Sequence, residues 1–154
     1  MKKWLSLLCA LPLVTFAATP QKIVALGGDV TEIVYALGAG SSLVARDSTS
    51  QWPQAANALP DVGYLRQLNA EGILSMRPTL VLASAQAQPS LALKQVEQSH
   101  VRVVTVPDSH DLSVIDEKVR VIAEATHREA QGDALRARLR QALAALPTSP
   151  LDKQ

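Results

Sequence analysis

The sequence predicts an α/β fold built on a short parallel sheet flanked by helices. Two observations carry that prediction. Four short runs of apolar residues, without polar alternation, are separated by stretches of helical spacing. That is the pattern of βαβ units whose strands are covered on both faces. The composition also supports a packed core, since 47% of the 154 residues are hydrophobic and only 19% are charged.

The elements follow in order. Lys22–Leu26 is the first strand run, broken by Gly27 and Gly28, which let the chain turn out of the sheet. Asp29 and Glu32 have capping-box spacing and open a helix whose apolar side is Ile33, Val34, Ala36 and Leu37. Gly38 and Gly40 end it. Leu43–Ala45 is the second strand. Residues 47–63 are rich in Ser, Gln, Pro and Asn and read as a loop with one helical turn. Asn69 caps a short helix carrying Ile73, Leu74 and Met76, stopped by Pro78. Thr79–Ala83 is a buried-type strand. Pro89 suits the first turn of a helix reaching about Gln98, and Val101–Val106 is the fourth strand. Val114, Ile115, Val119, Ile122 and Ala123 then recur at helical spacing, interrupted at Thr126. Ala134, Leu135, Leu139, Leu143 and Leu146 mark a last helix, with Arg136, Arg138 and Arg140 on its exposed face. Pro147 and Pro150 end it. No internal repeat or low-complexity stretch interrupts this order.

The N-terminus reads as an address. Lys2 and Lys3 precede an apolar run, Trp4 to Phe16, which is too short for a membrane span of about 20 residues. Small residues follow, and cleavage after Ala17 fits a secretory signal peptide. Cleavage would remove both lysines and Cys9, the sole cysteine, taking the formal charge from +1 to −1. The exported chain would carry no membrane-spanning segment.

Composition excludes several function classes. Fifteen basic residues against fourteen acidic ones leave neither a nucleic-acid arm nor an acidic tail. Aromatic residues are 3%, too few for base-stacking or carbohydrate platforms. One cysteine permits no disulfide framework and no cysteine zinc site. No Ser sits in a G-x-S-x-G elbow, and His100, His110 and His127 lack metal-ligand spacing, although His100 and His110 flank one strand. Gly27-Gly28 lies between strand and helix but matches no phosphate-loop motif. No catalysed reaction is expected.

Tyr64 stands apart. Tyr35 falls among apolar neighbours in a helix, whereas Tyr64 follows Gly63 in a loop, with Arg66 two residues on. A loop tyrosine is either a packing residue or a ligand-binding one. A nearby cation favours phenolate, and a phenolate is a hard oxygen donor suited to ferric iron, including haem iron.

Residues 22–38 resemble the opening of the helical-backbone periplasmic binding proteins, which serve ABC importers of haem, siderophores and cobalamin. Residues 61–82, with Gly63-Tyr64-Leu65-Arg66 the most specific part, are similar to the haemin-binding branch. The resemblance implies one Rossmann-like lobe over 18–125, a long connecting interlobe helix over 126–146, and a tail over 147–154, after the signal peptide of 1–17. It also implies that Tyr64 ligates haem iron, that Arg66 stabilises the phenolate, and that Glu71 docks onto an inner-membrane ABC permease. Glu71 would equally complement a helix dipole. Haem would be the transported ligand, received by way of an outer-membrane haem receptor, and the compartment the periplasm. The family carries two lobes, and this chain is expected to lack the second, as a truncated product, fragment or frameshifted gene. Cobalamin or ferric-siderophore binding by the same fold, or a non-functional remnant, are the alternatives.

Overall fold

A computed structural model describes residues 12–13 and 19–147. The signal peptide expected over 1–17 and the tail beyond 147 lie almost wholly outside the described residues. Four strands, β1 (Ile23–Leu26), β2 (Leu43–Arg46), β3 (Leu80–Ser84) and β4 (Arg102–Val106), form one sheet in the order β2-β1-β3-β4. Every pairing is parallel, with Ile23 opposite both Leu43 and Leu80, and Leu80 opposite Arg102.

Residues two apart along a strand share a face. Ile23, Ala25, Leu80 and Leu82 therefore face α1 (Gly28–Ala36) and α4 (Val114–Ala125) through Val30, Val34, Val119 and Ile122. Val24, Leu26, Val81 and Ala83 face α2 (Ala70–Ser75) and α3 (Leu91–Gln98) through Ile73, Leu93 and Val96. Both central strands are fully buried. β2 alternates buried and half-buried, and β4 is exposed at Arg102 and Thr105, half-buried at Val103 and Val104 and buried at Val106, because these two strands form the sheet edges. The expectation of strands covered on both faces thus holds for the centre alone.

Three local readings need correction. The capping box at Asp29–Glu32 does not form. The cap of α1 is Gly27, at φ 122°, without a side-chain bond, and the Asp29 carboxylate instead meets Lys118 Nζ at 2.5 Å. Pro89 precedes α3 rather than entering it, because the Ser90 hydroxyl accepts from Leu93 N and takes the cap. The helix read over 126–146 is α5 (Glu129–Ala144), separated from α4 by His127 at φ 56°. Arg138 and Arg140 are exposed on it, and Arg136 is half-buried. Arg136 and Arg140 reach toward the neighbouring helix. Both pair with Asp116 of α4, at 2.6 and 2.8 Å.

Candidate functional site

A parallel sheet sends every strand's following loop to one edge. The segment before Tyr64 is led to that same edge. Asp61 pairs in parallel with Arg46, the last residue of β2. Val62 N donates to Arg46 O at 2.9 Å, and Ser48 N donates to Gly63 O at 2.9 Å. Residues 61–63 therefore continue alongside β2 and deliver Tyr64 beyond the carboxyl ends of the strands. Open α/β sheets hold ligands in the crevice at that edge.

Local bonds set how Tyr64 is presented. Gly63 adopts φ 104°, a left-handed conformation that favours glycine, and its N–H donates to Asp61 Oδ1 at 2.8 Å. Gln67 N donates to Tyr64 O at 2.8 Å and closes the turn. Leu65 is buried in the core on the α2–α3 face of the sheet. With Leu65 anchored inward, Tyr64 is 45% exposed. Among the described residues nothing hydrogen-bonds its hydroxyl, so the phenol oxygen is open to a ligand. Arg66 is exposed and makes no ion pair among the described residues, and no hydrogen bond ties it to Tyr64.

Glu71 lies in the first turn of α2, where the Asn69 side chain accepts from Gly72 N at 3.2 Å. α2 runs back from the carboxyl edge toward β3, so its N-terminus and Glu71 stand on the Tyr64 side of the sheet. Glu71 is exposed between two shallow hollows, one toward Asp61 and Met76, the other toward Leu68 and Leu91. Tyr64 lines neither.

Two clusters at this rim escape a reading of motifs. Asp47 is fully buried. Its carboxylate accepts from Gly27 N at 2.9 Å, Ser50 Oγ at 2.6 Å, Thr49 N at 3.2 Å and Thr49 Oγ1 at 2.6 Å. Thr31 of α1 shares a 2.7 Å hydrogen bond with Ser50. Asp-x-Thr-Ser is a recognisable side-chain turn motif, but nothing local to it points to Gly27 or Thr31. The second cluster is Lys118, which bonds Asp29 at 2.5 Å and Asp108 at 2.7 Å, with Gln86 also donating to Asp108. Burial opposes the Lys118 charge, yet the hydrogen bonds to Asp108 and Asp29 outweigh it and raise its pKa above the ordinary lysine value. The hydrogen bond from Lys118, then that from Gln86, hold Asp108 below the usual carboxylate range.

The histidines are not assembled into a site. His100 and His127 stand at φ 64° and 56° just past the ends of α3 and α4. Among the described residues no group of three His, Cys, Asp or Glu could hold a metal ion, and no helix is long and apolar enough to cross a membrane.

A parallel sheet whose central strands are covered on both faces, with exposed side chains gathered beyond its carboxyl edge, is an open-sheet α/β lobe of the kind that holds ligands at that edge. The chain belongs to the periplasmic binding protein family, whose model matches residues 23–149. A solved periplasmic heme binding protein from Pseudomonas aeruginosa superposes with TM-score 0.77 at 39% identity, over 82% of this chain and 45% of that one. HutB, a periplasmic heme binding protein of Vibrio cholerae, superposes with TM-score 0.77 at 35% identity, over 86% of this chain and 52% of that one. A vitamin B12-binding protein of Vibrio vulnificus is 36% identical over 99 residues, which is 64% of this chain and 36% of that protein. The chain thus spans about half or less of the length of these relatives. All three are named as binding proteins.

Proposed function

We propose that this chain is the first lobe of the substrate-binding component of a haem ABC importer. Residues 1–17 direct it to the periplasm, residues 18–125 form the lobe, and residues 126–146 lead toward a second one. Ferric haem is its cargo, and Tyr64 is the iron ligand through its phenolate oxygen. Arg66, two residues on, supplies positive charge beside that bond. Glu71 offers a carboxylate to basic side chains of the permease that receives the haem. No reaction is catalysed.

The observation that carries the reading is the presentation of Tyr64. Its phenol is half-exposed at the carboxyl rim and without a hydrogen-bond partner among the described residues, on a turn pinned by Gly63 and Leu65. In identity, the heme binding proteins of Pseudomonas aeruginosa and Vibrio cholerae, at 39% and 35%, stand above the structural neighbour BtuF, a vitamin B12 binding protein of Vibrio cholerae, at 25%, which supports haem. Ligand sites bury about 70–90% of a small ligand, so one lobe alone holds haem more weakly than a closed two-lobed cleft.

Absorbance titration of the chain with haemin tests the assignment. The wild type develops a shifted Soret band, and Tyr64→Ala does not. Identical spectra for the two would remove Tyr64 as the ligand. The second reading, cobalamin binding, is supported by the Vibrio vulnificus relative. It takes over if cyanocobalamin binds and haemin does not.

A further inference from the structure

Trp52 is the large aromatic side chain that neither the core nor the proposed iron bond uses. It is 66% exposed, although tryptophan is mostly buried in folded proteins. The exposure does not come from a loose loop. Two residues earlier Ser50 is fully buried, bonded to Asp47 Oδ1 and to Gly27 O at 3.2 Å. After it, Ala56 is fully buried and its carbonyl accepts from Arg46 Nε at 2.9 Å. Asn57 Nδ2 donates to Gln51 O at 3.1 Å across the same turn. The fold therefore fastens the chain on both sides of Trp52 and still leaves the ring in water.

The place of that ring is informative. The Trp52 loop leaves the carboxyl end of β2, and the Tyr64 turn runs beside it. Ser48 N to Gly63 O, at 2.9 Å, joins the two directly. The two exposed aromatic side chains among the described residues thus lie on adjacent, mutually bonded loops at the ligand rim.

We propose that Trp52 is a second ligand-contacting residue, a fixed aromatic face against which a flat, conjugated macrocycle stacks while Tyr64 reaches its metal. The inference rests on the haem reading of Tyr64. It adds what an iron ligand alone does not supply, a preference for an extended π-surface over a compact iron chelate. Because the loop is already ordered, little conformational freedom is lost on binding. Stacking of a ring on an aromatic side chain contributes on a scale that corresponds to about tenfold in affinity.

The experiment compares the wild-type chain with Trp52→Ala, Trp52→Phe and Tyr64→Ala. It measures haemin affinity, the tyrosinate-to-iron charge-transfer band and the melting temperature. The expected result is that Trp52→Ala binds haemin about tenfold more weakly while keeping the charge-transfer band and the wild-type melting temperature, and that Trp52→Phe recovers most of the loss. Unchanged affinity in Trp52→Ala, or an equal loss in Trp52→Phe, would overturn the proposal and leave Tyr64 standing. Absence of the charge-transfer band from the wild type would overturn the Tyr64 reading instead, and this inference with it.

Discussion

The Asp47 carboxylate is buried without a cation beside it among the described residues, and four neutral donors converge on it. Removing the acceptor leaves the Gly27 N–H without its partner and the Ser50 hydroxyl with only Thr31 and the Gly27 carbonyl, and a buried donor without a partner costs about 1–3 kcal/mol. Asp47→Ala is therefore expected to lose about 3 kcal/mol, read as a lower urea midpoint at unchanged slope. A loss under about 0.5 kcal/mol would show that the donors find other partners. At this scale the sequence spoke clearly where geometry is local. Gly63 before Tyr64 announced a loop, and Asn69 announced a cap; both are present. It was silent where partners lie far apart along the chain. Asp29 sits at capping-box spacing from Glu32, but its carboxylate goes to Lys118, 89 residues away. Trp52 falls in the loop read over residues 47–63, and its exposure has no local mark, because it follows from the tertiary fastening of Ser50 and Ala56.

The α4–α5 pair shows how an element is held by a missing side chain. A Cβ placed on Gly132 would lie 2.4 Å from Ala123 Cβ, so the helices touch where neither projects bulk. Glycine to alanine in a helix ordinarily stabilises by about 0.5–1 kcal/mol. Here the contact is far inside van der Waals distance, and forcing the helices apart costs about 1–3 kcal/mol, so the packing effect wins. Gly132→Ala is expected to destabilise by about 1 kcal/mol in a thermal melt, and a stabilised variant would show that α5 moves freely on α4. The apolar spacing of Leu135, Leu139 and Leu143 made α5 legible. The start at Glu129 was not, because the left-handed residue that separates the two helices is His127, where glycine is the usual sequence signal. Leu146, counted with the helix, lies past its end and is 61% exposed.

Across the whole molecule, Lys118 ties α4 to the first turn of α1 and to the loop after β4 through Asp29 and Asp108, 89 and 10 residues distant. The pH dependence follows from the directions of the shifts. Asp108 has a lowered pKa, so its contribution is present above the ordinary value of 3.8 and is lost as pH falls through the depressed one. Lys118 has a raised pKa, so its contribution is complete below 10.5 and is lost as pH rises through the elevated one. Stability should be level across neutral pH and fall below about pH 4. Lys118→Met strands two partly exposed carboxylates, at a cost of about 2 kcal/mol at pH 7, and flattens the acid limb. An acid limb identical to the wild type would mean that Asp108 owes its shift to other groups. The parallel order of the sheet was legible from the alternation of apolar runs and helices. The edge positions of β2 and β4 were not, since strand order is set by crossovers that leave no mark within a strand.

The ferric haemin complex of the wild-type chain, set beside that of Tyr64→Phe, tests the central claim most directly. Phenylalanine keeps the ring and removes only the oxygen. Resonance Raman excited in the charge-transfer band should show iron–tyrosinate modes in the wild type and none in Tyr64→Phe. The same modes in both proteins would place the iron on another residue, and their absence from both would contradict tyrosine ligation altogether.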